Sequence, residues 1–295
     1  MGGFLDDMAS LSAARVAEAV RHESVDALER RARRAAPSAP LRLSASGFDI
    51  IAELKLRSPA AGPLSNESED WLGRVAAYAR GGAAAVSVLT EPSRFDGSLE
   101  HLRRAAAALA PLGVPAMRKD FLVDPYQVLE ARAAGAGGVL VILRMLTRPR
   151  IEQLLDVAAE HGMFVLLEAF DDADLAMARA LMSSRAARRA GHGAVGGEPA
   201  GGGEPAGGTE LILIGVTSRD LQTLKVVQER FAALAPLLPA GWPAVAESGV
   251  ASGEDARRMQ RLGYRLALIG TALMASGDPS RLLREIFDAT RTVQP

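Results

Sequence analysis

The chain has no cysteine, which excludes disulfides, thiolate metal ligands and cysteine nucleophiles and suits a reducing compartment. Aromatic residues are few, at 4%, and neither charge is in excess, with 34 Lys and Arg against 35 Asp and Glu. A net charge of −1 offers no general attraction to nucleic acid or to an anionic membrane. No unbroken apolar run approaches the ~20 residues of a membrane-spanning helix, and the start lacks the basic and apolar regions of a secretory signal. These absences predict a cytoplasmic globular protein with no nucleic-acid or membrane partner, and the even charge balance makes a monomer the simplest expectation.

Glycine is abundant, at 29 of 295 residues, in a chain that is 48% hydrophobic and long enough for one large or two ordinary domains. From Phe4 to Ala36 the spacing of Leu11, Val16, Ala19, Val20, Val25 and Leu28 predicts two helices ahead of the main fold. Eight short apolar runs follow: Phe48 to Leu54, Ala84 to Leu89, Val114 to Met117, Gly138 to Leu143, Met163 to Leu167, Leu211 to Val216, Ala244 to Ala246 and Arg265 to Ile269. They are continuously apolar, as parallel strands covered on both faces are, and helical patterns such as Trp71 to Arg80 and Arg148 to His161 separate them. Eight such units in about 250 residues predict an α/β fold, a (β/α)8 TIM barrel, over an open doubly wound sheet. The turn after the first run, Lys55 to Pro63, also lacks the G-x-G-x-x-G of a dinucleotide site.

Nine of the 29 glycines fall in Gly191 to Gly208, where Gly196-Gly-Glu-Pro-Ala-Gly201 repeats as Gly202-Gly-Glu-Pro-Ala-Gly207. Such a tract cannot bury enough apolar surface to offset its ordering entropy. It predicts a flexible Gly-rich insertion, residues 182–209, between the fifth barrel helix and the sixth strand. The whole of 1–295 is expected to be one barrel domain, with 1–46 as its helical extension.

Active sites of such barrels lie at the carboxyl ends of the strands, so polar residues that end the apolar runs are informative. Glu53 and Lys55 share one side of the first strand by alternation, with Ser58 just beyond. The third strand ends in Lys119, the fifth in Glu168, the sixth in Thr217 and Arg219, and the seventh in Glu247. Singly, each is more often a solvated residue or an ion-pair partner. Together, two lysines and three carboxylates at one face read as an acid/base site for an anionic substrate. Ser248, Gly249, Gly270 and Thr271 after the last two strands let backbone N–H groups approach a phosphate, the alternative being two ordinary glycine turns. Phe95, Phe121, Leu140, Leu221 and Leu268 near the same ends can line a pocket for a flat ring, although each alone reads as core packing.

These motifs are collinear with a known pattern. Ile51-Ala-Glu-Leu-Lys55 with Ser58-Pro59, Ser87-Val-Leu-Thr-Glu91 with Phe95, Met117-Arg-Lys-Asp-Phe121 with Asp124-Pro-Tyr-Gln127, and Glu130-Ala-Arg-Ala-Ala-Gly135 come in order. Leu167-Glu168, Ile214-Gly215 through Ser218-Arg-Asp-Leu221, Ala246-Glu-Ser-Gly249 and Leu268-Ile-Gly-Thr271 complete the series. The chain resembles the indole-3-glycerol phosphate synthase family from about Phe4 to Phe287, interrupted at Met182 to Thr209.

The resemblance implies a barrel whose helical extension partly covers the site, and a carboxy-lyase (carbon–carbon lyase) of tryptophan biosynthesis. It implies ring closure, decarboxylation and dehydration of 1-(2-carboxyphenylamino)-1-deoxyribulose 5-phosphate, with no metal or organic cofactor. Lys119 is then the general acid for ring closure. Glu168 stabilises the developing cation on the anilino nitrogen or takes part in proton removal, and Glu53 and Lys55 serve the dehydration and hold the substrate carboxylate. Arg219 and Glu247 complete the polar shell, Ser58 supports it, and Ser248, Gly249, Gly270 and Thr271 bind phosphate. One position departs from the pattern, since the family usually has asparagine where this chain has Thr217, and a hydroxyl offers fewer donors and a shorter reach than an amide. A slowed enzyme follows, with a noncatalytic phosphate-ligand-binding barrel as the alternative. The sister barrel phosphoribosylanthranilate isomerase uses a cysteine base, which this chain lacks.

Overall fold

The computed structural model describes residues 3–45, 47–58, 62–64, 70–192, 211–220 and 225–291. Eight parallel strands close into a barrel: β1 (Asp49–Leu54), β2 (Ala85–Leu89), β3 (Ala116–Lys119), β4 (Gly138–Ile142), β5 (Phe164–Ala169), β6 (Ile212–Thr217), β7 (Ala244–Glu247) and β8 (Leu266–Ile269). Each of the eight expected apolar runs supplies one strand. The ring closes where β1 pairs with both β8 and β2. Two helices, α1 (Phe4–His22) and α2 (Val25–Arg34), precede it. The outer shell contains α3 (Trp71–Arg80), α4 (Leu99–Leu109), α5 (Pro125–Ala133), α6 (Arg148–Glu160), α7 (Asp172–His192), α8 (Glu229–Leu234), α9 (Gly253–Arg261), the short α10 (Thr271–Ala275) and α11 (Pro279–Arg291). Local chemistry marks their starts: Asp124 and Gln127 form a capping box before α5, Ser252 and Asp255 one before α9, and Ser98 caps α4. Among the described residues, no helix is long and apolar enough to cross a membrane.

Alternation along the strands divides the core in two. Outward residues such as Ile50, Val86, Val139, Val165 and Ile214 pack under the helices, while Ile51, Met117, Leu140, Phe164, Leu166, Leu213, Val245 and Leu268 fill the bore. Strand register sorts the inward residues into layers drawn from alternate strands, as a barrel's shear requires. Stepping around the ring through Glu53↔Ser87↔Met117, Leu140↔Leu166, Glu168↔Gly215↔Val245 and Glu247↔Leu268↔Ile51 puts Glu53, Lys119, Glu168 and Glu247 on one level. All four belong to odd-numbered strands. The even strands place Ser87, Leu140, Gly215 and Leu268 just below that level and Leu89, Ile142, Thr217 and Gly270 just above it.

The chain behaves differently from expectation after β5. Helix α7 continues through Met182 to His192, into the stretch expected as insertion from residue 182. Leu175, Ala178, Leu181, Met182 and Arg185 are all buried, and the Arg185 guanidinium bonds Asp156 of α6 at 2.7 Å. The apolar stripe therefore outlasts the barrel contact that the sequence pattern suggests. The repeated hexapeptides themselves lie outside the described residues.

Helix α1 reaches the carboxyl ends of the strands through one buried carboxylate. Arg15 Nη2 meets Asp120 Oδ1 at 2.6 Å, and Asp120 Oδ2 accepts bonds from Thr90 Oγ1 at 2.7 Å and Arg118 Nη2 at 3.1 Å. Gln127 donates to Ser12 Oγ at 2.8 Å, and the Tyr126 hydroxyl donates to the carbonyls of Ala19 and Glu23. Leu28 and Ala32 of α2 pack on Tyr126 and Leu129 of α5, and burial of a leucine such as Leu28 contributes about 2 kcal/mol. Arg15→Ala is expected to lower the unfolding free energy by about 1–2 kcal/mol, because Asp120 keeps its other partners. Hydrogen exchange in α1 is expected to rise well beyond that in the barrel strands, and equal protection of α1 in both proteins would contradict this anchoring.

Candidate active site

A cavity of ≈ 460 Å³ opens at the carboxyl ends of the strands, and its walls include Glu53, Lys55, Ser58, Phe95, Lys119, Phe121, Leu140, Glu168, Thr217, Arg219, Glu247, Ser248, Gly249, Leu268, Gly270 and Thr271. Every residue singled out from sequence lines this one space except Leu221, which lies outside the described residues. Phe4, Leu5, Leu89, Ile142 and Phe170 line it as well and were not anticipated. Alternation could have found Leu89, Ile142 and Phe170, each two residues from an inward position on its own strand or strand end. Phe4 and Leu5 carry no such signal, because the docking of α1 brings them there.

The charged level of the bore is paired internally. Lys119 on β3 faces β7, four strands round the ring in either direction, and its Nζ stands 3.4 Å from Glu247 Oε2 and 3.4 Å from Glu168 Oε2. Lys55 Nζ donates to Glu53 Oε1 at 2.9 Å. Glu53 and Glu247 are almost fully buried. Alternation within Arg118-Lys119-Asp120 turns Lys119 into the bore, while Arg118 bonds Glu130 and the Gln127 carbonyl of α5 on the outer side.

Burial disfavours every charge here, and the neighbours decide the outcome. At Glu53, burial works against ionisation but is outweighed by Lys55, Lys119 and Arg219, so its carboxyl is held below the usual carboxylate range. At Lys119 burial is outweighed by Glu168, Glu247 and Glu53, which hold the ammonium above the usual lysine range. At Glu247, burial and the negative charge of Glu168 together overcome the attraction of Lys119, and its carboxyl is pushed up to about 8. One ammonium facing two buried carboxylates cannot neutralise both, and the surplus negative charge is relieved by a proton on Glu247.

The rim near the last two strands has unusual backbone. Ser248 (φ +69°) and Gly249 (φ +78°) are consecutive left-handed residues, a conformation that costs a residue with a Cβ roughly 1–2 kcal/mol. The Ser218 hydroxyl donates to the Ser248 carbonyl at 3.1 Å, and Gln228 Nε2 donates to the Gly249 carbonyl at 3.0 Å. Both carbonyls are thus tied back to the β6 side of the rim. Strain of this kind, fixed by neighbours, is a feature of binding sites. On the opposite side the wall is apolar: the rings of Phe4 and Phe121 meet edge to face at 5.8 Å, and Phe95 lies 6.2 Å from Phe121.

The family model described as indole-3-glycerol phosphate synthase matches residues 5–185 and 208–286, skipping the glycine-rich tract. A relative named indole-3-glycerol phosphate synthase from Nocardioides sp. is 40% identical over 242 residues, covering 82% of this chain and 81% of that protein. One of the same name from Mycobacteroides abscessus is 36% identical over 295 residues, covering 98% and 95%. Among solved structures, 3-hexulose-6-phosphate synthase from Salmonella typhimurium superposes with a TM-score of 0.56 at 12% identity, covering 84% of this chain and 100% of that one. Thiamine phosphate pyrophosphorylase from Pyrococcus furiosus gives 0.54 at 14% identity, covering 85% and 98%. These two show a shared barrel fold alone. The family match runs along both parts of the barrel, on either side of the tract, and takes in the strand ends that carry the buried charges: the chain belongs to the indole-3-glycerol phosphate synthase family.

Proposed function

We propose that this cavity closes, decarboxylates and dehydrates 1-(2-carboxyphenylamino)-1-deoxyribulose 5-phosphate to indole-3-glycerol phosphate, with Lys119 as its central acid. The supporting observation is the single level of Glu53, Lys119, Glu168 and Glu247 facing one another across the bore. A ligand-binding barrel without turnover has no use for a lysine held between two carboxylates. The phosphate sits against the rim of Ser248, Gly249, Gly270 and Thr271, where backbone donors suit an anion. The aromatic ring lies against Phe95, Phe121, Leu140 and Leu268, with Leu221 assigned to the same wall by sequence, and Arg219 and Ser58 complete the polar shell.

Ring closure joins an aryl carbon to the ketone carbon, and the ketone oxygen takes a proton from the Lys119 ammonium. Glu168 stabilises the positive charge developing on the anilino nitrogen. Carbon dioxide leaves as the electrons of its bond restore the aromatic ring. The new hydroxyl then departs as water, with Lys55 and Glu53, 2.9 Å apart, giving and taking the protons of that step. Glu247, largely protonated at neutral pH, returns a proton to Lys119 over 3.4 Å. The tract between α7 and β6 is a passive insertion in one barrel domain, consistent with a family pattern that resumes at residue 208.

Three outcomes follow. Lys119→Ala is expected to keep its fold by circular dichroism and lose turnover by about 10²–10⁴, followed by indole fluorescence; near-normal turnover would remove Lys119 from the chemistry. Thr217, whose Oγ1 accepts the Arg219 N–H at 3.3 Å, stands on the level above the charges, where an amide reaches further into the cavity. Thr217→Asn is therefore expected to raise turnover, by up to about ten- to a hundredfold, and an unchanged or lower value contradicts that role. Because the folded pKa of Glu247 lies above its ordinary value of 4.5, the folded state holds the extra proton, and stability falls as pH rises from about 4.5 to 8. Glu247→Gln removes that slope, so its Tm relative to the parent is expected to rise between pH 5 and pH 8; parallel curves would contradict the shift.

A further inference from the structure

Gly215 lies inward on β6, level in register with Glu168 on one side and Val245 on the other. It belongs to the layer just below the charges, with Ser87, Leu140 and Leu268, so small and large side chains alternate around that layer. The gap left by the missing side chain is filled from above. A Cβ placed on Gly215 would lie 2.0 Å from Glu247 Oε1 and 3.1 Å from Glu247 Cδ, against 3.1 Å for its other near neighbour, Leu166 Cδ1. Real carbon and oxygen atoms do not approach to 2.0 Å, so the carboxyl of Glu247 occupies the space of that side chain. There Oε1 is buried with no hydrogen-bond partner among the described residues, while Oε2 faces Lys119. Gly270 shows the same relation from above, since a Cβ there would lie 2.4 Å from Glu53 Oε1.

We propose that Gly215 is a positioning residue: the absence of its side chain lets the Glu247 carboxyl fold down into the lower layer, which sets both its distance from Lys119 and its desolvation. The proposal rests on the reading that Lys119 and Glu247 act in the chemistry, but its central relation, Gly215 to Glu247, is measurable without turnover. Gly215→Ala forces the carboxyl upward and away from its apolar seat. Turnover is expected to fall by roughly tenfold to a hundredfold, as misplacement of a reacting group by about 1 Å does, with KM changed less than twofold. The basic limb of the pH–rate profile is expected to move to lower pH as the carboxyl gains solvent. Glu247→Asp, shorter by one methylene, is expected to restore part of the lost turnover in the Gly215→Ala background and to reduce it in the parent.

A stability cycle separates the proposal from the functional reading. Gly215→Ala is expected to lower Tm in the parent and to leave it within about 2 °C in a Glu247→Ala background, where the opposing atoms are gone. Gly138→Ala serves as a control, because its Cβ would meet the Phe164 ring at 2.4 Å and its cost is independent of Glu247. An equal loss of Tm, or failure to fold, in both Glu247 backgrounds would overturn the proposal and assign the glycine to packing against Leu166. A retained cycle with unchanged turnover and pH profile would instead leave the Gly215–Glu247 contact standing and count against Glu247 in the chemistry.

Discussion

A lysine ammonium that crosses the bore of a closed barrel needs negative charge on the far wall, and here it meets two carboxylates where charge balance asks for one. Much of the site follows from that surplus. Glu247 is pushed towards its protonated form, whereas Glu53, which has Lys55 as its own partner, stays ionised. Carboxyls on one level of one barrel thus take different protonation states from their surroundings alone, the condition that the proposed acid/base chemistry near neutral pH requires. The apolar layers matter as much as the charges. Leu140 and Leu268 below the level and Leu89 and Ile142 above it keep the effective dielectric low, so each pairing counts for more than it would in water.

Geometry assigns these roles through the barrel's shear. Inward positions on alternate strands meet at one height, so four residues far apart in sequence face each other without any loop being required to bring them together. The same alternation splits Arg118-Lys119-Asp120. Lys119 serves the bore, while Arg118 holds α5 on its outer side and Asp120 ties α1 to the rim. Placement of Phe4 and Leu5 over the cavity and orientation of Lys119 therefore depend on one short strand end.

Much of this was legible in the sequence because the signals are local. Continuous apolar runs separated by helical spacing give the barrel, and alternation puts Glu53 and Lys55 on one side of β1. What is not local was not legible. Which strands contribute to the charged level depends on register around the closed ring, so neither the opposition of Lys119 and Glu247 nor the fit of Glu247 over Gly215 can be read from spacing. Phe4 and Leu5 enter the cavity through the docking of α1, whose contacts, such as Arg15 with Asp120 and Phe4 with Phe121, join residues remote in sequence. The end of α7 was misplaced for a different reason: its Ala- and Arg-rich turns look dispensable until Arg185 is seen bonded to Asp156.

The central claim is that the surplus negative charge around the Lys119 ammonium is relieved by a proton that Glu247 holds at neutral pH. A titration of the side-chain carboxyl carbons by NMR, with glutamate labelled at Cδ, tests it most directly. The account predicts one resonance with a midpoint near 8 that is absent from Glu247→Gln and moves upward when Lys119 is replaced by alanine. If every glutamate titrates in the ordinary carboxylate range near 4.5, the surplus charge is relieved in some other way and the account is contradicted.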